Sequence, residues 1–146
     1  MLTGKIDIRK AVLLDGDQVW PLVKTFATSY APEREAFNRA FSHLVERQDT
    51  LVLVAEMNAV ELIGYVLASH HGTLFANGNV AWVEEIMVTE SARLCGVGRA
   101  LMDGVEQWAR EVPVAYVSLA TRRADAFYGR LGYQPSATFF KKEMSG

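Results

Sequence analysis

The sequence predicts one α/β domain: a mixed central sheet of six to seven strands flanked by about four helices. Three observations carry this expectation. Short apolar runs rich in β-formers recur along the chain, as in Leu51-Val52-Leu53-Val54-Ala55 and in residues 62–68. Other segments place apolar residues at helical spacing, as Phe37, Phe41, Leu44 and Val45 do. In the second half, strand and helix patterns alternate, which implies parallel crossovers and helices on both faces of the sheet. The expected order is βααβββαβαβ, with room for one further strand at the end.

Taken in order, Ile6 and Ile8 alternate with Asp7 and Arg9, the period of a short first strand. Asp15 or Asp17 can cap a following helix, expected from about Val19 to Tyr30, with Pro21 in its first turn where no N–H is needed. Ala31-Pro32 separates it from a second amphipathic helix over 33–47. Two strands over 51–55 and 62–68 flank a turn at Asn58 and suit a hairpin. Residues 70–79 carry loop chemistry, and Val80–Val88 is the fourth strand. Val97, Leu101, Val105 and Trp108 form one stripe of a third helix, which Pro113 stops. Gly104 inside it costs about 1 kcal/mol relative to alanine, a concession to close packing by a neighbour. A fifth strand over 114–120, a short helix over 123–131 ended by Gly132, and a last strand over 133–142 complete the reading. Pro135 confines that last strand to an edge or a bulge.

The 146 residues are half hydrophobic, enough for the core of a single domain over 1–146. No apolar run approaches the ~20 residues of a membrane helix, and residues 1–10 hold no apolar signal core. No membrane partner is expected. The net charge of −2 gives no electrostatic case for nucleic acid. Cys95 is the single cysteine, so an internal disulfide and a cysteine-based zinc site are excluded. His70 and His71 are adjacent on a strand end and diverge, so no metal is expected. A lone thiol suits a reducing cytoplasm.

The stretch from Glu84 to Arg99 organises the chain. It reads as a strand, a tight turn and a helix start. The first turn of a helix has unpaired N–H groups and partial positive charge. Gly96 and Gly98 let the backbone come close to an anion, and Arg93 and Arg99 add charge on either side. The stretch therefore reads as a pyrophosphate cradle. A dinucleotide-binding Rossmann domain fits poorly, because no full glycine motif follows the first strand.

Arg93-Leu94-Cys95-Gly96-Val97-Gly98 resembles the acetyl-CoA-binding motif of the GNAT superfamily of N-acetyltransferases, Arg/Gln-x-x-Gly-x-Gly/Ala. Residues 124–133, with Phe127-Tyr128 and Leu131-Gly132-Tyr133, resemble the family's second signature. The two occur in the family's order, and the likeness covers most of residues 50–142. The resemblance implies the GNAT fold, in which the fourth and fifth strands splay apart to admit the pantetheine arm of acetyl-CoA. It implies that the backbone of Ile86, Met87 and Val88 pairs with that arm. It makes Leu94, Cys95, Gly96, Val97, Gly98 and Arg99, next to Arg93, the pyrophosphate loop. Leu94 stands where the family usually has glycine, which puts the loop's local conformation in question.

The resemblance also implies direct acetyl transfer to an amine in a ternary complex, which needs two proton transfers. A primary amine has a pKa of about 10 and must lose a proton to become a nucleophile. Glu84 and Glu85 point to opposite faces of a strand, so one of them can reach the acceptor. Strict alternation groups Glu84 with Ile86 and Val88, and Glu85 with Val83 and Met87. Some small-molecule enzymes of the family place a glutamate at the position of Glu84, which makes it the favoured general base and Glu85 the alternative. Tyr128 matches the tyrosine that protonates the departing sulfur; a core tyrosine beside Phe127 is the plainer reading of the same residue. The expected acceptor is a small-molecule amine. A protein or peptide amine, and a catalytically silent acyl-CoA sensor, are the alternatives. Edge strands near the C-terminus leave a homodimer open.

Overall fold

A computed structural model describes residues 4–27 and 30–144. Five strands form one sheet in chain order: β1 (Ile6–Lys10), β2 (Thr50–Met57), β3 (Glu61–Gly72), β4 (Asn79–Val88) and β5 (Val114–Leu119). The pairings from β1 to β4 are antiparallel, and β4–β5 is parallel. Four helices accompany them: α1 (Gly16–Phe26), α2 (Arg34–Leu44), α3 (Val97–Glu111) and α4 (Asp125–Arg130).

The alternation of β2 explains its unbroken apolar run. Leu51, Leu53 and Ala55 pack with α3 residues Val97, Leu101, Met102 and Val105 on one face. Val52 and Val54 pack with Val19, Leu22 and Phe41 of α1 and α2 on the other. A central strand covered on both sides needs apolar residues at every position. Gly104 of α3 lies over this strand: a Cβ there would stand 2.6 Å from Leu53 Cδ1. The glycine lets helix and sheet approach.

The start of the chain is clipped by charge. Arg9 donates from both terminal nitrogens to the Asp15 carboxylate at 2.8 Å, and bonds Glu56 of β2 at 3.2 Å. Asp15 also accepts the N–H of Val12 at 2.7 Å, so it closes a short 3-10 turn and does not cap α1. Because the helix begins at Gly16, Pro21 lies inside α1 and not in its first turn. Thr28 and Ser29, expected at the end of the first helix, lie outside the described residues.

The sheet has five strands, where six to seven were expected. Residues 133–144, expected to add a last strand, carry no strand. Pro135 withholds a backbone donor, and the exposed residues 136–144 have no buried face to reward pleating. This segment instead stacks Phe139 on Trp82 of β4, with ring centroids 6.1 Å apart, and bonds Glu143 to the Tyr30 hydroxyl.

Candidate active site

Pairing of β4 with β5 runs from Asn79–Val114 to Val83–Leu119 and then stops. Beyond it β4 continues to Val88 with no partner on that edge among the described residues. The divergence opens a cleft of about 850 Å³ between the end of β4, the start of α3 and α4. Glu84, Ile86, Val88, Arg93, Leu94, Gly96, Gly98, Arg99 and Tyr128 all line it.

Alternation decides which backbone groups face the opening. The Thr89 N–H bonds the Ile63 carbonyl of β3 at 2.8 Å. Residues two apart share an edge, so Met87 also turns its backbone to β3, and Ile86 and Val88 turn theirs to the open edge. The Val88 carbonyl accepts from Arg93 Nε at 3.2 Å, in keeping with that direction. The Met87 side chain is buried among α1 and α2 residues on the opposite face. Val97 is core, and Cys95 is exposed; neither lines the cleft.

The loop before α3 takes two left-handed residues. Gly96 has φ +82, with no atom within 4 Å of a built Cβ. Leu94 has φ +67 and a fully exposed side chain, so the loop keeps its turn without the glycine usual at that place. Gly98 serves packing instead: a Cβ there would stand 3.3 Å from Phe127 Cζ, so it lets α4 lie against α3. The first bond of α3 is Ala100 N–H to the Gly96 carbonyl at 3.0 Å. The N–H groups of Val97, Gly98 and Arg99 are thus left free, and no acidic residue occupies that first turn. A helix start of this kind suits an anion.

Tyr128 is 8% exposed, held edge-on by Phe127 at 4.9 Å and Tyr133 at 5.9 Å. Burial raises its phenol pKa above the usual 10, so it stays protonated at neutral pH. Its hydroxyl makes no hydrogen bond among the described residues.

The two glutamates differ. Leu67 of β3 pairs Glu85 and Ala68 pairs Val83, so Glu84 is the extra residue of a β-bulge. The bulge shifts the phase of the strand. Val83 packs on the α3 face with Ile86 and Val88, whereas Met87 packs on the face of α1 and α2. The strict alternation expected from the sequence, which put Val83 with Met87, is therefore broken at this point. Glu84 is exposed, while Glu85 is half-buried and accepts the Tyr65 hydroxyl at 2.7 Å. Burial raises the Glu85 carboxyl pKa, the Tyr65 bond opposes that, and the Glu84 charge adds to it. Both carboxylates line the cleft.

Several lining residues escaped sequence reasoning: Phe26 at the end of α1, Arg122 after β5, and Arg130 at the end of α4. The Arg122-Arg123 pair directly after a strand was the available signal. His70 bonds Asn79 at 2.7 Å and lies 5.4 Å from the Trp108 ring. Among the described residues no three His, Cys, Asp or Glu side chains are placed to hold a metal, and no helix is long and apolar enough to cross a membrane.

Solved structures of the same fold align over nearly the whole chain. Glucosamine-6-phosphate N-acetyltransferase from Arabidopsis thaliana superposes with a TM-score of 0.85 at 16% identity, covering 97% of this chain and 99% of that one. An aminoglycoside 6'-N-acetyltransferase from Acinetobacter baumannii gives 0.78 at 19%, covering 97% and 100%. An aminoglycoside N-acetyltransferase solved in complex with CoA gives 0.80 at 16%, covering 99% and 98%. At these identities the likeness is one of fold. No curated protein sequence matches the chain. The model of the acetyltransferase (GNAT) family matches residues 18–133, which take in the open edge of β4, the glycine loop and Tyr128, and the chain belongs to that family of acetyl-CoA-dependent N-acetyltransferases.

Proposed function

We propose that the protein moves the acetyl group of acetyl-CoA to a primary amine of a small molecule by direct transfer in a ternary complex. The observation that carries this reading is the cleft at the β4–β5 divergence. It joins an unpaired strand edge, a helix start free of carboxylates, a protonated tyrosine and a half-buried carboxylate. Ile86 and Val88 would hold the pantetheine amides, and Leu94–Arg99, with Arg93, the diphosphate.

Burial favours Glu85 over Glu84 as general base. A carboxylate whose pKa is lifted toward neutrality accepts a proton more effectively than an ordinary one. Glu85 takes a proton from the acceptor ammonium, directly or through one water. The freed amine forms its bond to the acetyl carbon, and its nitrogen gives up a second proton to solvent as the carbon–sulfur bond breaks. Tyr128 donates its proton to the departing sulfur, and Glu85 releases the proton it took to solvent. Solvent then returns a proton to Tyr128. Glu84 tunes Glu85 through its charge.

The relatives of known activity bear on the acceptor. Glucosamine-6-phosphate and aminoglycoside enzymes stand there beside a ribosomal-protein-alanine N-acetyltransferase, so the names support a small-molecule amine as the first reading and a protein amine as the second. The direct test is thiol release from acetyl-CoA with a panel of aminoglycosides, amino sugars, polyamines and amino acids. Amine-dependent release supports the enzyme. Binding of acetyl-CoA with only background hydrolysis across the panel would leave the silent acyl-CoA sensor in its place.

A further inference from the structure

Eight of the ten arginines of this protein fall into two groups. Arg9, Arg34, Arg47 and Arg110 each sit against a carboxylate. Arg93, Arg99, Arg122 and Arg130 all line the cleft, and none forms an ion pair with a carboxylate among the described residues. In a chain of net charge −2, four guanidinium groups on one cleft outnumber the two carboxyl groups that line it, Glu84 and Glu85, and leave a local excess of positive charge.

Two of the four, Arg93 and Arg99, flank the glycine loop and account for a diphosphate. Arg122 and Arg130 come from other elements: the segment after β5 and the last turn of α4. Phe127 of α4 packs on Gly98, and Arg130 lies three residues further on, on the same helix face. Arg130 lines the same cleft as Gly96, Gly98 and Arg99 at the start of α3. The charges of coenzyme A divide in the same way. Its diphosphate carries roughly two negative charges and its ribose 3'-phosphate, a monoester, nearly two more.

The geometry points to Arg122 and Arg130 as a second phosphate subsite, which holds the 3'-phosphate of acetyl-CoA and lets the protein discriminate it from the 3'-dephospho form. This rests on the acetyl-CoA reading of the cleft. Guanidinium forks suit the two free oxygens of a monoester, which lysine would meet only as a point charge. The subsite adds affinity and selectivity for the nucleotide end, and takes no part in the acyl step.

The test measures dissociation constants by calorimetry for acetyl-CoA and 3'-dephospho-acetyl-CoA. The proteins are the unaltered chain, the double variant R122Q/R130Q, and R39Q. Arg39 is exposed on α2 away from the cleft and controls for net charge. Charge-assisted hydrogen bonds of this kind predict a preference for acetyl-CoA of about tenfold to a hundredfold in the unaltered protein and in R39Q. In the double variant the preference should fall to about twofold, with the 3'-dephospho form bound as before. Equal weakening of both ligands would mean that the two arginines serve the diphosphate or the fold, and would overturn the subsite. So would equal binding of both forms by the unaltered protein, with the acetyl-CoA reading intact. Binding of neither form would remove that reading along with the subsite.

Discussion

The Tyr65 hydroxyl donates a 2.7 Å hydrogen bond to the Glu85 carboxylate from the adjacent strand. The two are diagonal neighbours, since Tyr65 pairs Met87 and Glu85 pairs Leu67. Tyr65 is buried, so it fixes a carboxylate that burial raises in pKa, at the edge of a cleft where an ammonium would arrive. Orientation and basicity come from the same pair of strands.

This arrangement predicts a signed pH dependence. Glu85 must be deprotonated to act, so turnover should fall as pH drops through its raised pKa. Glu85→Gln should lower the neutral-pH rate by about a hundredfold and lose that limb, with the rate recovering as pH nears the amine's own pKa of about 10. Glu84→Gln should keep the limb but move it to lower pH, because the Glu84 charge raises the Glu85 pKa. Rate profiles from about pH 5 to 10 separate the two. A collapse in Glu84→Gln with a normal Glu85→Gln would transfer the base role to Glu84.

Tyr128→Phe removes a hydroxyl that bonds nothing among the described residues and leaves its edge contacts with Phe127 and Tyr133 intact. The variant should fold normally and bind acetyl-CoA normally, yet turn over about a hundredfold more slowly. Single-turnover kinetics alongside calorimetry checks this. A rate near that of the unaltered enzyme would return Tyr128 to the core.

Leu94 holds a left-handed backbone that costs a side-chain-bearing residue about 1 kcal/mol or more, and its exposed side chain recovers nothing from packing. Leu94→Gly should therefore raise stability in urea unfolding by about 1 kcal/mol. Leu94→Ala should leave it nearly unchanged, because the Cβ that causes the strain remains.

Asp15 joins β1 to the 3-10 turn before α1 through the paired bonds from Arg9. Asp15→Asn should cost about 2 kcal/mol at neutral pH. The bond to Arg9 holds the Asp15 pKa below its ordinary value. Its stabilisation is therefore complete above the unfolded pKa of about 3.9 and is lost as pH falls through the folded one. The gap between the two proteins should close in acid. Urea midpoints at about pH 7 and pH 3 measure it; an undiminished gap in acid would mean the charge is not its source.

The sequence by itself determined the α/β class and the places where local chemistry is decided locally. The glycine turn at Gly96 and the helix start after it were legible because capping and left-handed turns depend on a few neighbouring residues, whereas the packing of Gly98 on Phe127 was not. The apolar run of β2 was legible as a strand because β-formers over a short stretch are a local property, and its division between two cores came with the helices packed on either face. Only the tertiary structure decided the rest. The bulge at Glu84 arises from the register against β3, and no pattern within β4 records it. The absent last strand is a matter of partners: residues 133–144 alternate well enough, but a strand needs an edge to pair with and a face to bury. The cleft itself exists because β5 leaves β4 at Val83–Leu119. That divergence brings Glu85, Tyr128 and four arginines from separate segments of chain onto one surface, a relation of distance in space that spacing along a chain does not carry.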